Sequence, residues 1–290
     1  MVDRKALHEQ IASGGLVRLM AAHNALSARL VEEAGFDGVW ASGFELSATH
    51  GLPDMSLVTM AEHLALVQSM AQRTDLPIVA DIDTGFGNAI NVIHAVRQYE
   101  RAGAAAIVME DKTFPKVTSL VAGGRQELLP VAEFQGKIEA ALHARSDPGF
   151  LVIARTEALI AGHDLESALE RAFHYAQAGA DMILVHSRQP SPDEIERFVH
   201  RWDSETPIAV VPTSYPEFNE ERARQLDKVR MLIYGNHAVR AAVTAMQQVF
   251  ARVIADGGIH RIDRDLVPVS EIFRLQDMEK ARADEKRFLR

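Results

Sequence analysis

Three times along this 290-residue chain an alanine-rich stretch runs into a glycine and then into a short apolar run. The three are VEEAGFDGVWASG around Gly35, RAGAAAIVMED around Gly103 and AQAGADMILVHS around Gly179. Each reads as a helix, a glycine that terminates it in the left-handed conformation, and a buried strand. Apolar runs at 16–22, 76–83, 150–157, 206–213 and 229–236 raise the strand count to eight, and their unbroken hydrophobicity suits parallel strands covered on both faces. Helical spacing fills 59–73, 89–102, 131–145, 164–178 and 191–202, with Asp164 and Ser191 where N-caps belong. Eight strands alternating with helices predict a closed (β/α)8 TIM-type barrel, with an open doubly wound sheet as the alternative.

No linker-like or low-complexity tract divides the chain, so we read one domain over 1–290, with the barrel at about 14–255 and a helical extension at 256–290. The extension is charged yet carries Ile272, Phe273, Leu275, Met278 and Phe288 at spaced positions, which predicts helices that pack on a neighbouring subunit. Residues 111–130 are long for a strand-to-helix loop; over a barrel mouth such a loop forms a lid.

Composition narrows the function. Cysteine is absent, which excludes disulfides, thiolate metal sites and cysteine nucleophiles. A net charge of −9 repels nucleic acid and anionic lipid. No apolar run reaches membrane-spanning length, and the charged start MVDRKALHEQ lacks a secretory signal, so the expectation is a cytoplasmic protein. A small anionic substrate would then need local positive groups or a metal ion to hold it.

In such a barrel the chemistry gathers at the C-terminal ends of the strands. Reading those ends gives Ser42-Gly43, Asp81 and Asp83, Glu110-Asp111, Arg155-Thr156-Glu157 and His186-Ser187-Arg188. Asp81, Asp83 and Glu110 are oxygen ligands on adjacent strands and favour magnesium or manganese; singly, acids there cap helices or pair with lysine and arginine. Ser42, Gly43 and Phe44 offer backbone N–H groups to a carboxylate or phosphate, or form an ordinary turn. Arg155 and His186 can neutralise an anionic group from the opposite side, and Trp40 can wall the pocket. Gly85-Phe86-Gly87 lacks the third glycine of a dinucleotide loop, and there is no Walker A sequence.

Taken in order, W-A-S-G at 40–43, Asp54, ADIDTGFGN at 80–88, MEDKTFPK at 109–116, ARTEA at 154–158 and His186-Ser187 resemble the phosphoenolpyruvate mutase/isocitrate lyase superfamily over nearly the whole chain. The resemblance implies a barrel enzyme that breaks a bond beside the carbonyl of a small 2-oxo acid. It implies that Asp81 binds Mg2+ (Mn2+ or Co2+ as substitutes) while Asp83, Glu110 and Asp54 orient its waters. Asp54 is the implied nucleophile or general base, and Lys116 descends with the lid. A homotetramer or dimer exchanging C-terminal helices is also implied.

The carbon–carbon lyases of the superfamily carry a lid cysteine, whereas this chain has Lys116-Val117-Thr118-Ser119 there. The mutase pattern has asparagine at Thr118, and the branch that cleaves phosphorus–carbon bonds has threonine. The resemblance therefore implies hydrolysis of phosphonopyruvate in phosphonate catabolism, with the mutase reaction or another 2-oxo acid lyase or hydrolase as the alternative. A catalytically silent barrel that binds an oxo acid is the reading from a different class.

Overall fold

A computed structural model describes residues 4–121, 124 and 126–289. Eight parallel strands close in sequence order: β1 (Val17–Ala22), β2 (Gly38–Ala41), β3 (Ile78–Asp81), β4 (Ala106–Glu110), β5 (Leu151–Thr156), β6 (Met182–Val185), β7 (Ile208–Val210) and β8 (Val229–Tyr234). Pairing of Leu19 on β1 with Ile233 on β8 seals the cylinder, so the predicted barrel is the observed one and the open sheet is set aside. The helices that follow the strands are α2 (Ala25–Glu33), α3 (Gly43–Thr49), α4 (Met60–Ala71), α5 (Ala89–Ala102), α6 (Val131–Ala144), α7 (Leu165–Gln177), α8 (Asp193–Arg201), α9 (Glu220–Arg224) and α10 (His237–Asp256); α1 (Arg4–Ala12) precedes them. Among the described residues no helix is long and apolar enough to cross a membrane.

The glycine signals act where the sequence placed them. Gly103 caps α5 at φ 99°, and Gly35 and Gly179 adopt φ 82° and 96° just past α2 and α7. Side chains start the helices: Asn24, Thr59, Asn88, Asp164 and Asn219 each accept a first-turn N–H. Ser191 does not hold the cap position expected for it. Pro192 does, its fixed φ opening α8 at Asp193, while Ser191 Oγ accepts the Asp193 N–H at 3.3 Å.

Each apolar run is divided by the two-residue period of a strand. On β6, Met182 and Leu184 point into the barrel with Leu19, Val79, Val108, Ile153 and Ile233, while Ile183 and Val185 pack outward under the helices. Two steps beyond an inner residue is again an inner position. Past Val79, Val108, Ile153 and Leu184 that position holds Asp81, Glu110, Arg155 and His186, so the filled barrel itself aims four polar side chains at one point.

Compact packing divides the chain into Met1–Ala238 and Val239–Arg290, earlier than the boundary expected near 255. The second unit contains most of α10, a 3-10 turn at Asp263–Asp265, α11 (Val269–Leu275) and α12 (Met278–Phe288), and exposes Phe250, Ile254, Phe273, Met278 and Phe288.

Leu184 is fully buried inside the barrel. Leu184→Ala should lower unfolding free energy by about 2–5 kcal/mol, read from the urea midpoint, because the closed sheet cannot collapse into the void. A loss below about 1 kcal/mol would show that the barrel interior is loosely filled.

Candidate active site

At the C-terminal mouth, one cavity of about 60 Å3 brings together Trp40, Ser42, Phe44, Asp54, Asp81, Lys116, Thr118, Arg155 and His186. Gly43, Asp83 and Glu110 do not line it and stand behind its wall. The cavity also takes in Ser119, Leu120, Val211, Thr213, Gly235 and Asn236, which the sequence reading did not single out.

Local backbone geometry sets the carboxylates. Asp81 ends β3 and accepts the Asp83 N–H at 3.3 Å and, weakly, the Gly43 N–H at 3.4 Å. Asp83 is left-handed (φ 52°), a conformation that aspartate tolerates, and its carboxylate takes the Ser56 hydroxyl at 2.9 Å. Glycine is required at two places here. A Cβ on Gly43 would sit 3.0 Å from Asp83 Oδ1, and one on Gly85 (φ 84°) would meet Val92 at 2.6 Å. Behind this turn, buried His63 on α4 bonds the Tyr99 hydroxyl at 2.7 Å.

Lys116 reaches down from the lid to Asp54 (3.0 Å) and Asp83 (2.7 Å). Burial alone would lower its pKa, but Asp83, Asp54, Glu110 and Asp81 outweigh burial and hold the ammonium firmly charged. The lysine is thus tied to the acids, where the sequence reading simply had it descend with the lid. Arg155 meets Glu157 at 2.5 Å and Glu110 at 3.4 Å; burial opposes its charge, and Glu157, Glu110 and Asp81 sustain it.

At His186, burial and then neighbouring Arg155 lower the pKa, with Glu157 working against them, so these surroundings favour the neutral imidazole. Its Nδ1 lies 2.8 Å from Arg155 Nη2 and 3.1 Å from Glu157 Oε1, contacts that require opposite tautomers. The guanidinium can only donate, and its contact is shorter, so Nδ1 accepts and the proton sits on Nε2. That buried nitrogen has no hydrogen-bond partner among the described residues, leaving one N–H to offer.

The predicted lid is stitched at its stems by the Thr113 N–H to the Glu127 carbonyl (2.9 Å) and the Leu129 N–H to the Asp111 carbonyl (2.8 Å). Its residues 122, 123 and 125 lie outside the described ones. Asp111 serves the scaffold: it takes the Tyr175 hydroxyl at 2.7 Å, the Glu157 N–H at 2.8 Å and Arg171 at 3.2 Å.

Among the described residues the mouth is short of positive charge. Asp54, Asp81, Asp83, Glu110 and Glu157 are five carboxylates, and Lys112, Lys116 and Arg155 are three cations paired with them, leaving two negative charges when all five acids are ionised. Burial pushes Asp81 up and Asp83 up to about 7. Among the described residues neither buried oxygen of Glu110 has a hydrogen-bond donor, and the Arg155 guanidinium 3.4 Å away is shared with Glu157. Buried acceptors without donors call for a missing partner, and a divalent cation supplies both the two charges and the contacts. Among the described residues no group of three Asp, Glu or His side chains is placed to hold a metal ion by itself.

The phosphoenolpyruvate phosphomutase family pattern matches residues 4–254. A phosphonopyruvate hydrolase from Variovorax sp. (strain Pal2) is 54% identical over 290 residues, covering all of both chains. A phosphoenolpyruvate phosphomutase from Tetrahymena pyriformis is 41% identical over 283 residues, covering 98% of this chain and 94% of that one. A crystal structure of phosphonopyruvate hydrolase with oxalate and Mg2+ matches with a TM-score of 0.95 at 52% identity, covering both chains fully. The chain belongs to the phosphoenolpyruvate phosphomutase family.

Proposed function

We propose that this protein hydrolyses the phosphorus–carbon bond of 3-phosphonopyruvate to pyruvate and phosphate, with Mg2+ at the barrel mouth. The observation that carries the proposal is the meeting of Asp81, Lys116, Thr118, Arg155 and His186 around one cavity. The full-length likeness to a phosphonopyruvate hydrolase, and a close structural relative that holds oxalate and Mg2+, support it. Oxalate carries two planar carboxylates and mimics the oxygen pair of a pyruvate enolate.

Asp81 would hold the ion, with Asp83, Glu110 and Asp54 around its water shell. When bound, the cation supplies positive charge to the substrate's carboxylate and 2-oxo oxygens, so that carbon can keep the electron pair of the breaking bond. The backbone N–H groups of Ser42 and Phe44 would face the substrate carboxylate, joined by that of Gly43 if it leaves its weak bond to Asp81, and Trp40 would close that side. Arg155, locked by Glu157, provides charge to the phosphonyl oxygens, and His186 Nε2–H provides a neutral hydrogen bond. Positioning of this kind accounts for most catalysis of phosphoryl transfer.

Water oxygen joins phosphorus, and the carbon left with the electron pair takes up a proton to become the methyl group of pyruvate. Asp54, kept beside Lys116, either takes the proton of that water or bonds to phosphorus first; both routes give the same products. Thr118 is shorter than asparagine and leaves room for the attacking water. The family match also favours a second reading, return of the phosphoryl group to the enolate oxygen as in the mutases. Self-association into a dimer or tetramer is part of the proposal, supported by the apolar side chains exposed on the C-terminal unit.

Phosphorus NMR of a Mg2+-containing reaction should show phosphonopyruvate replaced by inorganic phosphate. Thr118→Asn should raise the phosphoenolpyruvate-to-phosphate ratio by at least about tenfold, a barrier difference of ~1.4 kcal/mol. Phosphoenolpyruvate as the main wild-type product would overturn the hydrolase reading in favour of the mutase.

Asp83 also sets a pH dependence. Its folded value of about 7 lies above the ordinary ~3.9, so without metal it favours folding at low pH and loses that contribution as pH rises through 7. Mg2+ needs the deprotonated form. The rise in Tm on adding Mg2+ should therefore be small near pH 5.5 and grow to a plateau above pH 7.5. A Tm increment independent of pH would contradict this.

A further inference from the structure

We infer that Lys112 and Ser119 form a clamp that holds the lid shut and fixes the position of Thr118, which makes Lys112 a positioning residue for the reaction. The inference deepens the hydrolase reading and rests on it.

Lys112 is only 1% exposed, in a loop where a lysine would ordinarily reach solvent. Its three ammonium donors find three acceptors: the Val117 carbonyl at 2.9 Å, Ser119 Oγ at 2.7 Å and Glu157 Oε2 at 2.9 Å. Ser119 is equally saturated. Its hydroxyl accepts from Lys112 and from Arg155 Nη2 (3.1 Å) and donates to Glu157 Oε2. Both residues flanking Thr118 are therefore tied, through one ammonium, to the Glu157–Arg155 pair at the end of β5. Thr118 itself is held by its carbonyl, which accepts from Gln126 Nε2 at 3.1 Å.

Ser119 lines the cavity, yet its one proton and two lone pairs are already used within the protein. It anchors the lid instead of binding the substrate. Lys112 does not line the cavity, so it acts through the loop. Opening the lid would carry off the Val117 and Ser119 acceptors and leave a buried ammonium with Glu157 alone, a state that burial disfavours. The closed lid is therefore built into the charge pattern, and Thr118 arrives in register with Arg155 and His186.

The test compares Ser119→Ala and Lys112→Met with wild type for kcat, KM, Tm and products by phosphorus NMR. Loss of the clamp should lower kcat by about 100-fold, the cost of roughly an ångström of misplacement, while KM moves less than about threefold and Tm barely changes. A Ser119→Ala protein turning over within about threefold of wild type would overturn the inference, as would a kcat loss matched by an equal loss of folded protein. Should Lys112→Met fail to fold, Ser119→Ala decides alone. The wild-type product judges the hydrolase reading separately, because the turnover comparison holds for whichever product forms.

Discussion

With its carboxylates ionised, the barrel mouth holds, among the described residues, two more buried negative charges than its cations neutralise. Isolated buried charge is among the most costly things a protein can contain, and the usual remedies are a proton or a counterion. Asp83 shows the first remedy in its raised pKa, and the oxygens of Glu110, which have no hydrogen-bond donor among the described residues and share Arg155 with Glu157, mark where the second fits. A substrate with both a 2-oxo acid and a phosphonyl group adds further negative charge to this place. Arg155 and Lys116 stand at the point of entry, and a divalent ion held beside them would let an acidic chain admit it.

That arrangement depends on the barrel in a direct way. Closing eight strands around a filled interior forces every second side chain inward, and the row beyond the last apolar layer has no choice of direction. Asp81, Glu110, Arg155 and His186 belong to that row. The lid then adds groups the strands cannot reach, with Lys116 tied to the acids and Ser119 tied to the Glu157–Arg155 pair.

The strands were legible because parallel strands buried on both faces read as unbroken apolar runs, and their starts because glycine ends the preceding helix. The inward polar row was legible for the same reason, since a strand's last polar residue lies at the barrel mouth. Loop conformation was not. Nothing in the sequence signals that Asp83 and Ser56 are left-handed, or that Ser56 bonds Asp83. Glu157 stood in view beside Arg155, but its role as the junction of Lys112, Ser119 and Arg155 emerges only when β4, β5 and the lid meet. The burial of His186 and the guanidinium next to it, which together lower its pKa, are likewise not written in the sequence.

Direct counting of bound ions tests the charge argument most closely. Titrating the protein with Mn2+ at pH 8, with free ion followed by electron paramagnetic resonance, should show one tightly held equivalent per chain. Glu110→Gln, which removes one unit of the excess charge while keeping the side chain's shape, should weaken that binding at least about tenfold. A wild-type chain that takes up no ion, or a Glu110→Gln chain that binds as tightly as wild type, would contradict the account.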